Sequence, residues 1–144
     1  MSRSVTPSIH NPASLDRSTV EKLSELSGRI LLSLLFLLSG LLKIPAYAAT
    51  AAYMSSIGVP AALLPLVIAV EFLGAVAIIV GWKTRIAAFL LGGLTVLAAA
   101  LFHSDFADLI QAILFMRDLS ITGAFLLLMA NGAGPLSLDH WLSK

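Results

Sequence analysis

Four apolar runs alternate with short polar breaks along the chain, at about residues 27–44, 61–81, 86–102 and 109–130. A bilayer core is ~30 Å thick and takes roughly 20 apolar residues of helix to cross. Each run therefore reads as a membrane-spanning helix. Pro45 ends the first run, and Gly58-Val59-Pro60 precedes the second. Pro65 falls in the first turns of the second, where a missing N–H is tolerated. Gly81-Trp82-Lys83-Thr84-Arg85 forms a tight turn with an interfacial tryptophan, and His103-Ser104-Asp105 closes the third run. Asn131-Gly132-Ala133-Gly134-Pro135 stops the fourth.

The remaining segments are shorter. Residues 1–16 are polar, with Pro7 and Pro12, and read as a flexible tail. Ser18-Thr19-Val20-Glu21 fits a capping box. Val20, Leu23, Leu26 and Ile30 follow at helical spacing, which predicts a short amphipathic helix leading into the first span. The division is residues 1–26, tail and amphipathic helix, and residues 27–144, the membrane domain. A cleaved secretory signal is a poor fit, because Asp16, Glu21 and Glu25 precede the apolar run. Residues 46–59 are too polar and too short to span, and predict a re-entrant or interfacial helix carrying Tyr47 and Tyr53. Residues 137–142 predict a second interfacial helix anchored by Trp141.

Composition agrees with the pattern. The 144 residues are 58% hydrophobic and 12% charged, with a mean hydropathy of +0.96. Soluble domains carry ~25% charged residues. A net charge of +1 with no basic stripe gives no reason to expect nucleic-acid binding. The absence of cysteine excludes disulfides, thiolate metal sites and thiol redox chemistry on this chain. Cationic residues lie mostly in loops on one side. With the N-terminus inside, Arg3, Arg17, Lys22, Arg29, Lys83, Arg85 and Lys144 are cytoplasmic, leaving only Lys43 and Arg117 towards the outside. The positive-inside rule then puts both termini in the cytoplasm. The expected fold is an all-α membrane protein of four transmembrane helices in an antiparallel bundle.

Glu71 interrupts the most apolar run near its middle. An ionisable group at that depth costs about 2.5–3.5 kcal/mol even on lenient scales, so it needs a proton, a cation or water. In the expected topology Lys43, Glu71, His103, Asp105, Arg117 and Asp118 all fall in the outer half. Small residues share their helix faces: Gly74 and Ala75 with Glu71, Ser39 and Gly40 with Lys43, Ala99 and Gly92 with His103. Small residues allow close helix approach and also leave room for a ligand. Two readings compete. One is a structural Glu71–Arg117 pair, with Lys43 snorkelling to headgroups. Arg117 and Asp118, adjacent in sequence, point about 100° apart and pair only loosely on this reading. The other is a polar chamber, open outward, for a quinone head group, a protonated solute or a proton. Metal binding is a poor fit, because His103 and Asp105 are too few and His10 and His140 lie on the other side. Gly132-x-Gly134 follows a helix rather than a strand, so it is no dinucleotide fingerprint.

One ordered set of short motifs resembles the DoxX family. It comprises Phe36-Leu37-Leu38-Ser39-Gly40-Leu41-Leu42-Lys43, Gly58-Val59-Pro60, Val70-Glu71-Phe72-Leu73-Gly74, Gly81-Trp82-Lys83-Thr84-Arg85, Phe102-His103, Gly123 and Asn131-Gly132-x-Gly134-x-x-Ser137-x-Asp139. The resemblance covers about residues 27–139. It implies a four-helix, multi-pass inner-membrane protein linked to membrane oxidoreductase complexes. Carried over by position, Lys43, Glu71 and His103 match the family's charged positions, and Arg117 falls where a basic or polar residue usually sits. Asp118 departs from the pattern. The resulting expectation is a small subunit of a quinone-linked membrane oxidoreductase, with Glu71 and His103 as proton-handling catalytic residues and Lys43, Arg117 and Asp118 binding the ligand. No tightly bound cofactor is expected, and quinone is the ligand class named. Expected partners are the lipid bilayer and other oxidoreductase subunits or further copies of the chain. The alternatives are a non-catalytic scaffold and, as an oligomer, a small-solute or proton carrier.

Overall fold

A computed structural model describes the backbone from Pro12 to Lys144 and the side chains from Ser18 onward. The helices are α1 (Pro12–Lys43), α2 (Tyr47–Ser56), α3 (Leu64–Val80), α4 (Thr84–Phe102), α5 (Leu109–Asn131) and α6 (Leu138–Leu142). A 3-10 turn, Ala61–Leu63, leads into α3. Among the described residues there is no strand. Among the described residues, four segments are long and apolar enough to cross a membrane: Ser18–Lys43, Ala61–Val80, Thr84–Phe102 and Leu109–Asn131.

The first helix departs from expectation. α1 runs unbroken through Ser18-Thr19-Val20-Glu21, so these residues do not cap its start, and among the described residues no separate amphipathic helix precedes the span. Nothing in the sequence between residues 12 and 43 breaks a helix, and the apolar run that follows is long enough to carry the polar turns with it. Of the expected tail, residues 1–11 lie outside the described residues and Pro12 to Asp16 are helical.

The helix ends follow from local chemistry. Gly81 closes α3 at φ 72°, with the Trp82 amide donating to Ala77 O at 2.8 Å. This left-handed closure is open to glycine at little cost. Asp108 caps α5 by accepting from the Ile110 amide at 2.8 Å. α4 has no cap of its own. Its first amides are taken by a remote carboxylate: Lys83 N and Thr84 N donate to Asp139 Oδ1 and Oδ2 at 2.7 and 2.9 Å. Asp139 N in turn donates to Gly81 O at 2.8 Å. The C-terminal segment is thus fastened across the α3–α4 turn. Arg29 on α1 reaches the same segment, donating from Nη2 to Leu136 O.

α1 packs on α3, α3 on α4 and α4 on α5. The buried core is small and joins all four: Phe36, Ala75, Ile78, Ala87, Ala88, Leu91 and Phe125. Phe36 and Phe125 meet edge to face at 5.2 Å. Gly40 lets α1 approach the α3 backbone closely, since a Cβ there would lie 3.3 Å from Phe72 N and 3.4 Å from Glu71 Cβ. Most leucines and isoleucines of the spans point outward and remain exposed. That inversion, apolar outside with small and polar residues inside, suits a chain whose surroundings are hydrocarbon.

A candidate site in a polar-ended cavity

α1, α2, the 3-10 turn, α3, α4 and α5 enclose a cavity of about 480 Å³. Its wall is mainly aliphatic and aromatic, including Phe36, Leu64, Val67, Leu94 and Phe102. α2 covers one side through Thr50, Tyr53 and Met54, with the Tyr53 and Phe102 rings 5.6 Å apart. Into this apolar space project two charged groupings. All five residues singled out from the sequence, Lys43, Glu71, His103, Arg117 and Asp118, line it.

The first grouping joins α1 and α3. Lys43 Nζ donates to both carboxylate oxygens of Glu71, at 2.9 and 2.8 Å. It also donates to Ser39 Oγ, one helical turn earlier on α1. Ser39 Oγ in turn donates to Glu71 Oε1 at 3.3 Å. Glu71 is buried, and its side chain is 9% exposed against 25% for Lys43. The buried carboxylate therefore has two donors, the Lys43 ammonium and the Ser39 hydroxyl. The expected Glu71–Arg117 pair is not formed. Lys43 reaches Glu71 instead because Gly40 brings α1 against α3 at that level, and a flexible lysine stem can bend from the helix end towards the interior.

The second grouping joins α4 and α5. Arg117 Nε and Nη2 both donate to Asp118 Oδ1, at 2.9 and 2.8 Å. The two helix positions do diverge, with Asp118 buried and the Arg117 side chain half exposed, but the guanidinium folds back over its neighbour. The loose pairing expected from helix geometry is thus a close one. His103 Nε2 lies 3.8 Å from Asp118 Oδ2, and Nδ1 is 2.8 Å from Gln111 Oε1. Gln111 Oε1 can only accept, so Nδ1 is the donor there and Nε2 is the ring nitrogen that faces Asp118. Asp105 does not join this group. It is exposed and accepts from the Ala107 amide at 3.1 Å.

Ser39 and Gln111 are polar partners whose roles the sequence left unassigned, although both share helix faces with charged residues. Arg29, read as an interfacial cation, is instead buried at 3% exposure. Among the described residues no group of three or more His, Asp or Glu side chains is placed to hold a metal.

Four apolar helices around a small-residue core, with a lysine-paired glutamate at mid-depth, define a multi-pass integral membrane protein. The DoxX family model matches residues 24–104, and the chain belongs to the DoxX family. That match takes in Lys43, Glu71 and His103 and ends before Arg117. The chain is similar to Inner membrane protein YqjF of Escherichia coli (strain K12), with 46% identity over 125 residues, covering 87% of this chain and 96% of the relative. It is also similar to Inner membrane protein YphA of the same organism, with 36% identity over 122 residues, covering 80% and 87% respectively. No solved structure matches. With four apolar spans and relatives of this kind, the chain is a multi-pass inner-membrane protein.

Proposed function

We propose that the protein is a small subunit of a quinone-linked membrane oxidoreductase and that the cavity receives the quinone head group. The observation carrying this reading is a cavity of about 480 Å³ that is apolar except for two internally compensated charge groupings. Ligand pockets span ~300–1,000 Å³ and are mostly apolar with a few convergent polar groups. Lys43 and Arg117 are matched by Glu71 and Asp118, which favours an uncharged ligand with hydrogen-bonding oxygens over an ion. Reducing a quinone to a quinol takes two electrons and two protons. The electrons would come from a redox centre on a partner subunit. Two protons drawn from water would be relayed to the two oxygens through Glu71 and His103, each taking up a proton before giving one, while Lys43 and Arg117 hold the carboxylate charge between transfers. The topology proposed with this site is an antiparallel bundle with both termini cytoplasmic and the cavity facing outward. The excess of Lys and Arg in the segments assigned inside supports it.

The test is mass spectrometry of small molecules retained by the purified protein, wild type beside Glu71→Gln. Quinone held by the wild type and lost in a folded variant supports the reading. Phospholipid alone in both samples overturns it. A scaffold reading has one observation in its favour: the Lys43–Glu71 pair clamps α1 to α3 and would do so without any ligand. On that reading a Lys43→Met/Glu71→Leu double variant keeps both fold and cellular phenotype.

A further inference from the structure

A second concave region lies at the other end of α4. This open cleft of about 710 Å³ runs between the start of α4 and the segment after α5, with Lys83, Arg85, Asn131, Gly132, Gly134 and His140 among its walls. We propose that it binds the phosphate of an anionic phospholipid headgroup.

Neither cation there is neutralised by a carboxylate among the described residues. Lys83 extends over the Trp82 ring, 5.5 Å from its centroid. Arg85 makes one bond, from Nη2 to Ala130 O at 3.3 Å, and its other donors are open. Among the described residues neither forms an ion pair. The anion in the cleft wall, Asp139, is already engaged by the amides of Lys83 and Thr84, at the positive end of a 19-residue helix. Burial alone would raise the Asp139 carboxyl, but these amide bonds and the Arg29 charge hold it below the usual range. It therefore stays an occupied acceptor rather than a competitor for the cations. Glu25 lies against Gly134 but does not line the cleft, and its charge acts on Arg29.

Depth selects the partner. Trp82 and Trp141 are exposed beside the cleft, and tryptophan rings sit at the headgroup level of a bilayer. A phosphate at that level belongs to lipid. A guanidinium grips phosphate through paired donors and an ammonium through a point charge, so the cleft offers both. Basic pockets between membrane helices bind anionic headgroups in this way. Each basic residue strengthens such attraction about fivefold, so the pair contributes roughly 25-fold.

The experiment uses the full chain in nanodiscs made of phosphatidylcholine with an equal amount of phosphatidylglycerol. Native mass spectrometry reads the phosphatidylglycerol retained by wild type, by Lys83→Gln/Arg85→Gln and by a charge-matched control, Lys22→Gln/Lys144→Gln. The expected result is a loss of about 25-fold in the cleft variant alone, with inorganic phosphate failing to displace the lipid. Equal retention in all three overturns the proposal. So does an equal fall in the cleft variant and the control, which means general surface charge. Displacement by inorganic phosphate overturns the lipid assignment and points to free phosphate. If the double variant does not fold, Arg85→Gln carries the same test with about a fivefold loss, and Arg85→Lys should restore most of the retention.

Discussion

Replacing Lys43 by methionine strands the Glu71 carboxylate in the bundle, with Ser39 Oγ at 3.3 Å as its remaining partner. Removing one member of a buried ion pair costs about 3–5 kcal/mol. Lys43 is a quarter exposed, so the pair is not sealed from water and the cost falls to about 2–3 kcal/mol. The double change Lys43→Met/Glu71→Gln removes both charges and should cost only about 0–1 kcal/mol. A double-mutant cycle with Glu71→Gln as the other single should therefore show a coupling of about 2 kcal/mol. The assay is thermal unfolding in nanodiscs followed by circular dichroism. At ~2–4 °C per kcal/mol for a chain of this size, the lysine variant should melt roughly 5–9 °C below wild type and the double variant within about 3 °C. A coupling below about 0.5 kcal/mol refutes a closed pair.

Other positions give independent checks. Asp139→Asn halves the acceptor set at the α4 start and should destabilise by about 1 kcal/mol, read as a lower unfolding midpoint. Because the folded carboxyl titrates below its usual range, Asp139 stabilises the fold above about pH 4 and loses that contribution as pH falls further. An acid titration of wild type should show this loss, and Asp139→Asn should lack it. Gly81→Ala sets a side chain at φ 72°, with its Cβ pressed onto Arg29 Nη1 and Ser137. Its cost should reach about 1–3 kcal/mol and appear as faster proteolysis of the C-terminal segment. Gly40→Leu pushes α1 off Phe72 and Glu71. It should abolish the coupling between positions 43 and 71 in a repeat of the double-mutant cycle.

The spans were legible from hydropathy alone. Runs predicted at 61–81, 86–102 and 109–130 match helical segments at 61–80, 84–102 and 109–131, and the short helices before Gly58 and around Trp141 are present as expected. Hydropathy settles these because a bilayer forces each apolar run to satisfy its own backbone hydrogen bonds. The cluster of chemistry-bearing residues was legible for the same reason, since an ionisable group in such a run stands out by its cost alone. The start of α1 was not, because a capping pattern inside a longer helix reads the same as one at its end.

Which side chains meet depends on how the helices pack. In one dimension Glu71 pairs with Arg117 and Lys43 stays at the headgroups; the observed choice of Lys43 rests on the register of α1 against α3, which Gly40 permits. Asp139 as the cap of α4 joins positions 55 and 56 residues apart, and no local pattern announces such a bond. The basic cleft exists only because that bond draws the C-terminal segment over the α3–α4 turn. Periodicity fixes which face of a helix a residue occupies, while partner choice depends on the sliding and rotation of packed helices, set jointly by side chains far apart in the chain.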